Sequence, residues 1–171
     1  MSLTVTGGRI GGSIFGGSSG IYSKCNGNRT INIYGDGTTK QSEYNPKIGN
    51  IYGGANQAIL TGDIYLNIKN TKLITNVYGG GNQYTATTYG NINITAENST
   101  ISGDLYGGGS NANSEKNANG VGGNVNISLS KTSVEGNIYG SGKGMTQSMS
   151  VTYTLASYYK AQEWWTREPY Y

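Results

Sequence analysis

The chain has no histidine in its 171 residues. That removes the commonest general base, the serine–histidine and cysteine–histidine nucleophile pairs, and histidine-ligated zinc. It has one cysteine, Cys25, which excludes an intramolecular disulfide framework and a cysteine metal site. Without a histidine partner, Cys25 is expected to be an inert thiol. Charged residues are only 12% of the chain and the net charge is +3. With no basic cluster either, nucleic acid is not an expected partner. No apolar run approaches a membrane span, and Met1-Ser2-Leu3 has no signal-peptide pattern. The expectation is that a leader was removed, or that the chain is a segment of a longer protein.

Glycine and tyrosine stand where charge is missing, at 29 and 15 residues. One phrase organises them. It runs Ile14-Phe15-Gly16-Gly17, Ile51-Tyr52-Gly53-Gly54, Val77-Tyr78-Gly79-Gly80, Leu105-Tyr106-Gly107-Gly108 and Ile138-Tyr139-Gly140-Ser141. The intervals are 37, 26, 28 and 33 residues, a period that marks solenoids, propellers or arrays. Between the phrases lie segments of strict apolar/polar alternation, the mark of a strand with one buried face. Their expected inward residues are Ile31 and Ile33, then Ile64, Leu66 and Ile68, then Ile92 and Ile94, then Val125, Ile127 and Leu129. Leu3 and Val5 begin the series, and residues 149–155 continue it as a sixth copy.

The phrase has a buried face of its own. Four residues before each aliphatic stands Ile10, Leu73, Ile101 or Val134, with Gly12, Gly49, Thr75, Gly103 or Gly136 as a small middle inward position. In the second copy Lys47 fills the apolar slot, and Ile48 is expected to compensate through a bulge. Just before the aliphatic comes Ser13, Asn50, Asn76, Asp104 or Asn137, which stacked copies would join in a hydrogen-bonded ladder. Glycine would supply the positive φ angles of tight corners.

The expected fold is all-β: a β-solenoid, most simply a parallel β-helix, of about five glycine-rich coils over residues 1–155. Coils about 4.8 Å apart would make a rod of roughly 25 Å. A glycine-rich β-sandwich is the competing fold. It accounts for the alternation but not for one phrase recurring in one frame. Residues 156–171 leave the pattern, with Tyr158, Tyr159, Trp164, Trp165, Tyr170 and Tyr171 and no glycine. They are expected to form a cap, with a short helix over 156–167 ended by Pro169, or else a docking surface for sugar or a further subunit.

Catalytic and metal motifs are sparse. Gly142-Lys143-Gly144 fails the phosphate-loop pattern, and the calcium-binding nonapeptide is absent. No cofactor or metal is expected. Of nine carboxylates, Asp63 and Asp104 align with asparagines of other copies and read as ladder variants. Asn-x-Ser/Thr triplets begin at Asn28, Asn93, Asn98 and Asn126 and read as by-products of the alternating strands.

The units 77–82, 90–95, 103–110 and 123–128 resemble repeats of large cell-surface, adhesin-like proteins of anaerobic gut bacteria. Those alternate Gly-Asn-Val-Tyr-Gly-Gly-Gly with Gly-Asn-Thr-x-Val-x-Ile. The resemblance spans roughly residues 3–145 and implies an extracellular stalk or adhesive β-solenoid with no catalytic residue to transfer. The irregular spacing, Lys47 and the Trp/Tyr tail depart from it.

Three functions follow as expectations. The first is a non-enzymatic rod at the cell surface or outside the cell: stalk, adhesin segment or filament subunit, partnered by itself head-to-tail or laterally, or by neighbouring repeats. The second is a carbohydrate-binding β-helix of the phage-fibre kind, with Tyr52, Tyr78, Tyr106 and Tyr139 exposed in line as platforms for surface glycans. The third is a polysaccharide-cleaving enzyme with two facing carboxylates.

Overall fold

Period-2 sequences separated by glycine turns fold here into strands and nothing else. A computed structural model of the chain describes residues 1–110 and 123–143. These hold β1 (Ser2–Val5), β2 (Arg9–Phe15), β3 (Lys24–Asn26), β4 (Arg29–Tyr34), β5 (Lys47–Tyr52), β6 (Ile59–Thr61) and β7 (Ile64–Lys69). They continue with β8 (Ile74–Tyr78), β9 (Ile92–Glu97), β10 (Thr100–Ile101), β11 (Leu105–Tyr106), β12 (Val125–Ser130), β13 (Ser133–Val134) and β14 (Ile138–Tyr139). No helix occurs among the described residues. The sixth copy at 149–155, the expected helix and the aromatic tail with Tyr158, Tyr159, Trp164, Trp165, Tyr170 and Tyr171 lie outside them.

The strands form three sheets, and every pairing between named strands is parallel. The first sheet has the order β1-β4-β7-β9-β12. The second joins β2, β5 and β8, and then β8 to both β10 and β11, which pair with β13 and β14. The third is β3-β6, extended by a parallel bridge from Leu60 to Thr88. The chain thus visits the first, second and third sheets in turn and begins again one strand further along. Antiparallel hairpins of a meandering sandwich are not what these residues form.

The registers place equivalent apolar residues in rows. Leu3, Ile31, Leu66, Ile94 and Ile127 form one, and Val5, Ile33, Ile68, Ala96 and Leu129 another. Ile31, Ile33, Leu66 and Ile94 are at most 1% exposed. Burying each such side chain contributes about 1.5–3 kcal/mol, so the interior between the sheets carries the fold. Val125, Ile127 and Leu129 in β12 are half-buried and pack on the same cluster.

Several expected inward residues are misplaced: Leu73 and Thr75 in the third copy, and Gly12 and Gly136, which are exposed. Ile74, not Leu73, pairs with both Ile48 and Ile101 and is fully buried, while Leu73 is half-buried and Thr75 is exposed. The inward residue precedes the aliphatic by three positions in β5 and β8 but by four in the other copies. In β2 the extra residue appears as a register shift between Ile10 and Ser13, opposite β5. Ile48 does take the slot that Lys47 cannot, at 1% exposed. Copies four and five absorb the extra residue at Gly103 and Gly136, where a Cβ would strike the Asn76 and Asp104 side chains of the preceding copy.

Glycine also acts differently from expectation. Among the described glycines only Gly8, Gly27, Gly37 and Gly62 have positive φ. Those of the first four phrases are needed for clearance instead, whereas a Cβ at Gly140 in the fifth would meet nothing. The left-handed corner after the first-sheet strands is taken by Asn70, Asn98 and Lys131, at φ 54°, 45° and 49°. Asparagine adopts that region at less cost than lysine. Lys131→Asn is therefore expected to raise stability by about 0.5–1 kcal/mol, read from the urea midpoint.

Candidate functional site

The aromatic of each phrase points away from the aliphatic core and stacks on its equivalents. Phe15, Tyr52, Tyr78, Tyr106 and Tyr139 form a continuous column of parallel rings, with centroid spacings of 4.9, 4.7, 5.0 and 4.6 Å and interplanar angles of at most 7°. Parallel pairing in register sets the ring spacing, because adjacent strands lie about 4.8 Å apart. Tyr52, Tyr78 and Tyr106 are 7%, 6% and 5% exposed, whereas Tyr139 at the end of the column is 42% exposed. Each inner ring has a neighbour on both faces. The exposed line of platforms expected for Tyr52, Tyr78 and Tyr106 is therefore not what the structure has, since strand spacing closes every gap that a sugar ring would enter.

A polar row runs beside the column. Asn76 Nδ2 donates to Asn50 Oδ1 at 2.9 Å, the Asp104 amide to Asn76 Oδ1 at 3.0 Å, and the Asn137 amide to Asp104 Oδ1 at 2.8 Å. A second row links Asn28, Asp63, Asn91 and Asn124: each later backbone N–H donates to the preceding side-chain oxygen at 2.8–2.9 Å. A third joins Asn67 to Asn32 and Asn32 to Thr4, at 2.9 and 3.2 Å. Each such bond contributes about 0.5–1.5 kcal/mol, and together they tie the register. Asp63 and Asp104 sit in these rows as side-chain acceptors, as their alignment with asparagine implies. The four triplet asparagines Asn28, Asn93, Asn98 and Asn126 are likewise engaged in bonds between copies.

Electrostatics single out one position. The Tyr106 hydroxyl donates to Asp104 Oδ2 at 3.0 Å. Burial, then the hydrogen bond and charge of Asp104, push the Tyr106 phenol up to about 12. Asp104 itself is held below the usual carboxylate range, first by the Asn137 amide and then by the Tyr106 hydroxyl. Burial also raises Tyr52 and Tyr78. A phenol raised in the folded state stabilises fully below its unfolded value of about 10, and that contribution is lost as pH rises through 12. Asp104→Asn, the residue of copies two, three and five, is expected to keep the fold and lower the Tyr106 midpoint. Titration of tyrosinate absorbance checks this; an unchanged midpoint contradicts it.

Among the described residues no group of three or more potential metal ligands occurs. The ion pair among them is Lys69–Glu97, at 3.0 Å on the surface. No helix among them is long and apolar enough to cross a membrane. Comparison with family models, with curated proteins and with solved structures found no match. What the chain does must be read from its own geometry.

The alternation did not mark Arg29. It is inward and 8% exposed, in the row continued by Ile64, Ile92 and Val125. The missing signal was register: only the pairing of β4 with β7 brings Arg29 into line with Ile64.

Proposed function

We propose that the chain is a β-solenoid, its circuits stacked as successive coils of a parallel β-helix, and that it is a non-enzymatic structural element outside the cell or at its surface. In this reading it is a stalk, an adhesin segment or a subunit that associates with copies of itself or with neighbouring repeats. The observation that carries it is the five-ring column: the residues that most distinguish the chain are spent on each other, holding coil to coil. The asparagine rows support the same reading, because they too run between circuits. So does the resemblance to adhesin-like repeats of bacterial surface proteins.

A glycan array on the intact chain tests this reading, with Tyr139→Ala beside it. A structural rod gives no retention that depends on the column. Retention abolished by Tyr139→Ala, the most exposed ring of the column, would replace the rod by a lectin-like function.

A further inference from the structure

Each of the first three circuits passes from its aromatic phrase into the third sheet by a corner, and these corners differ in length. Ser19, Asn56 and Asn82 open them as one row: Asn56 Nδ2 donates to Ser19 Oγ at 3.2 Å, and Asn82 Nδ2 to Asn56 Oδ1 at 2.8 Å. Cys25, Leu60 and Thr88 close them in register. The first and third corners therefore take six steps, 19 to 25 and 82 to 88, while the second takes four, 56 to 60.

The additional residues build the same turn twice. The Ser23 amide donates to the Gly20 carbonyl at 3.1 Å, and the Ala86 amide to the Gln83 carbonyl at 2.9 Å. Such a bond closes a β-turn with its two central residues at the tip. The tips are Ile21-Tyr22 in the first circuit and Tyr84-Thr85 in the third. In the second circuit Gln57 alone lies between Asn56 and the buried Ala58, which leaves no room for a turn. The Thr85 hydroxyl donates down to the Gln57 carbonyl at 2.7 Å, so Tyr84 is the free member of its tip. Tyr22 and Tyr84 are 94% and 58% exposed.

Two strand spacings separate the turns, roughly 9–10 Å, and the layer between them has no turn of its own. The phrase rings set the scale. Stacked on adjacent circuits they stand 4.6–5.0 Å apart and leave no gap. Skipping one circuit leaves a slot one ring thick, with Gln57 and Ile59 as its floor.

The residues around the slot define its guest. Tyr22 and Tyr84 make no hydrogen bond or ring contact among the described residues, and the Gln57 side chain makes no hydrogen bond there. Residues 18–26, 55–61 and 81–89 carry a single charge, Lys24, and no carboxylate. A charged peptide or a nucleic acid finds no matching field on this face. A pyranose ring fits. Its C–H faces are drawn to the negative face of an aromatic ring, and its hydroxyls meet an amide that both donates and accepts.

We propose that the slot between the turns at 20–23 and 83–86 binds one pyranose ring of a neutral glycan, flanked by Tyr22 and Tyr84 with Gln57 beneath. This rests on the adhesin form of the reading above and gives it a contact face. Sugar recognition then lies on the third-sheet side, away from the phrase tyrosines that stacking closes.

The test is an array of neutral glycans probed with the full chain. Retention is expected, reduced about tenfold or more by Tyr22→Ala and by Tyr84→Ala and unchanged by Tyr139→Ala. Circular dichroism should match the wild type in both alanine variants, since each removes an exposed, unbonded ring. Inserting Tyr-Thr after Gln57 copies the third corner into the second circuit and fills the layer; that variant should fold and lose retention. No retention on any neutral glycan, or retention that the alanine variants or the insertion leave intact, would overturn the proposal. So would either rival occupant. A shift of tryptophan emission in Tyr84→Ala without glycan would seat the chain's own segment 144–171 in the slot, because Trp164 and Trp165 are the only tryptophans. A lower light-scattering mass in that variant would seat a second copy. Retention lost only in Tyr139→Ala overturns the rod reading as well, whereas no retention at all overturns the slot alone.

Discussion

Alanine at Gly79 is expected to destabilise the chain by about 3 kcal/mol, or to prevent folding. The Gly79 backbone lies between the aromatic column and the core. A Cβ there would run into the Gly107 carbonyl of the next circuit and into Cγ2 of Ile92. Neither can retreat: Gly107 belongs to a backbone that accepts and donates along the stack, and Ile92 is fully buried. Overpacking against backbone forces circuits apart over their whole contact. Gly12→Ala is the matched control, because a Cβ there meets nothing within 4 Å. It should be neutral or slightly stabilising, since alanine restricts the unfolded chain. Urea unfolding of both variants reads the contrast, and equal losses would refute the clearance account.

Truncating the centre of the column is expected to cost as much. Tyr78→Ala removes a ring stacked on Tyr52 at 4.7 Å and on Tyr106 at 5.0 Å, and opens a cavity between circuits. Loss of a buried aromatic costs about 3–5 kcal/mol. Tyr78→Phe should cost under about 1 kcal/mol, because the ring stays and only the hydroxyl is lost; Phe15 already fills the equivalent place in the first circuit. Near-ultraviolet circular dichroism should lose its coupled tyrosine signal in the alanine variant and keep most of it in the phenylalanine one. A large loss in Tyr78→Phe would mean that a polar contact, not stacking, holds the column.

Much of the fold was legible because its two signals are local and repeated. Alternation at Ile64, Leu66 and Ile68 states which face is buried, and the aromatic phrase states which positions are equivalent. The polar row through Asn50, Asn76, Asp104 and Asn137 followed from the same frame. Where the frame slips by one residue it misled: Leu73 and Ile74 are both apolar neighbours, and only cross-strand pairing chooses Ile74. Exposure of the tyrosines was misjudged for a related reason. An outward side chain in one strand becomes buried once identical rings lie about 4.8 Å to either side, a cooperative burial that a single copy does not encode. Glycine clearance at Gly79 and the inward Arg29 were illegible alone, because each depends on what the neighbouring circuit places opposite.

The stacking of equivalent positions in parallel register is tested most directly by methyl–methyl nuclear Overhauser contacts in isoleucine-, leucine- and valine-labelled protein. The expected contacts link Leu3 to Ile31, Ile31 to Leu66, Leu66 to Ile94 and Ile94 to Ile127, the register of the first sheet. Contacts that instead fold neighbouring segments back antiparallel, with Ile64, Leu66 and Ile68 meeting residues 74–77 in reverse order, would contradict the account.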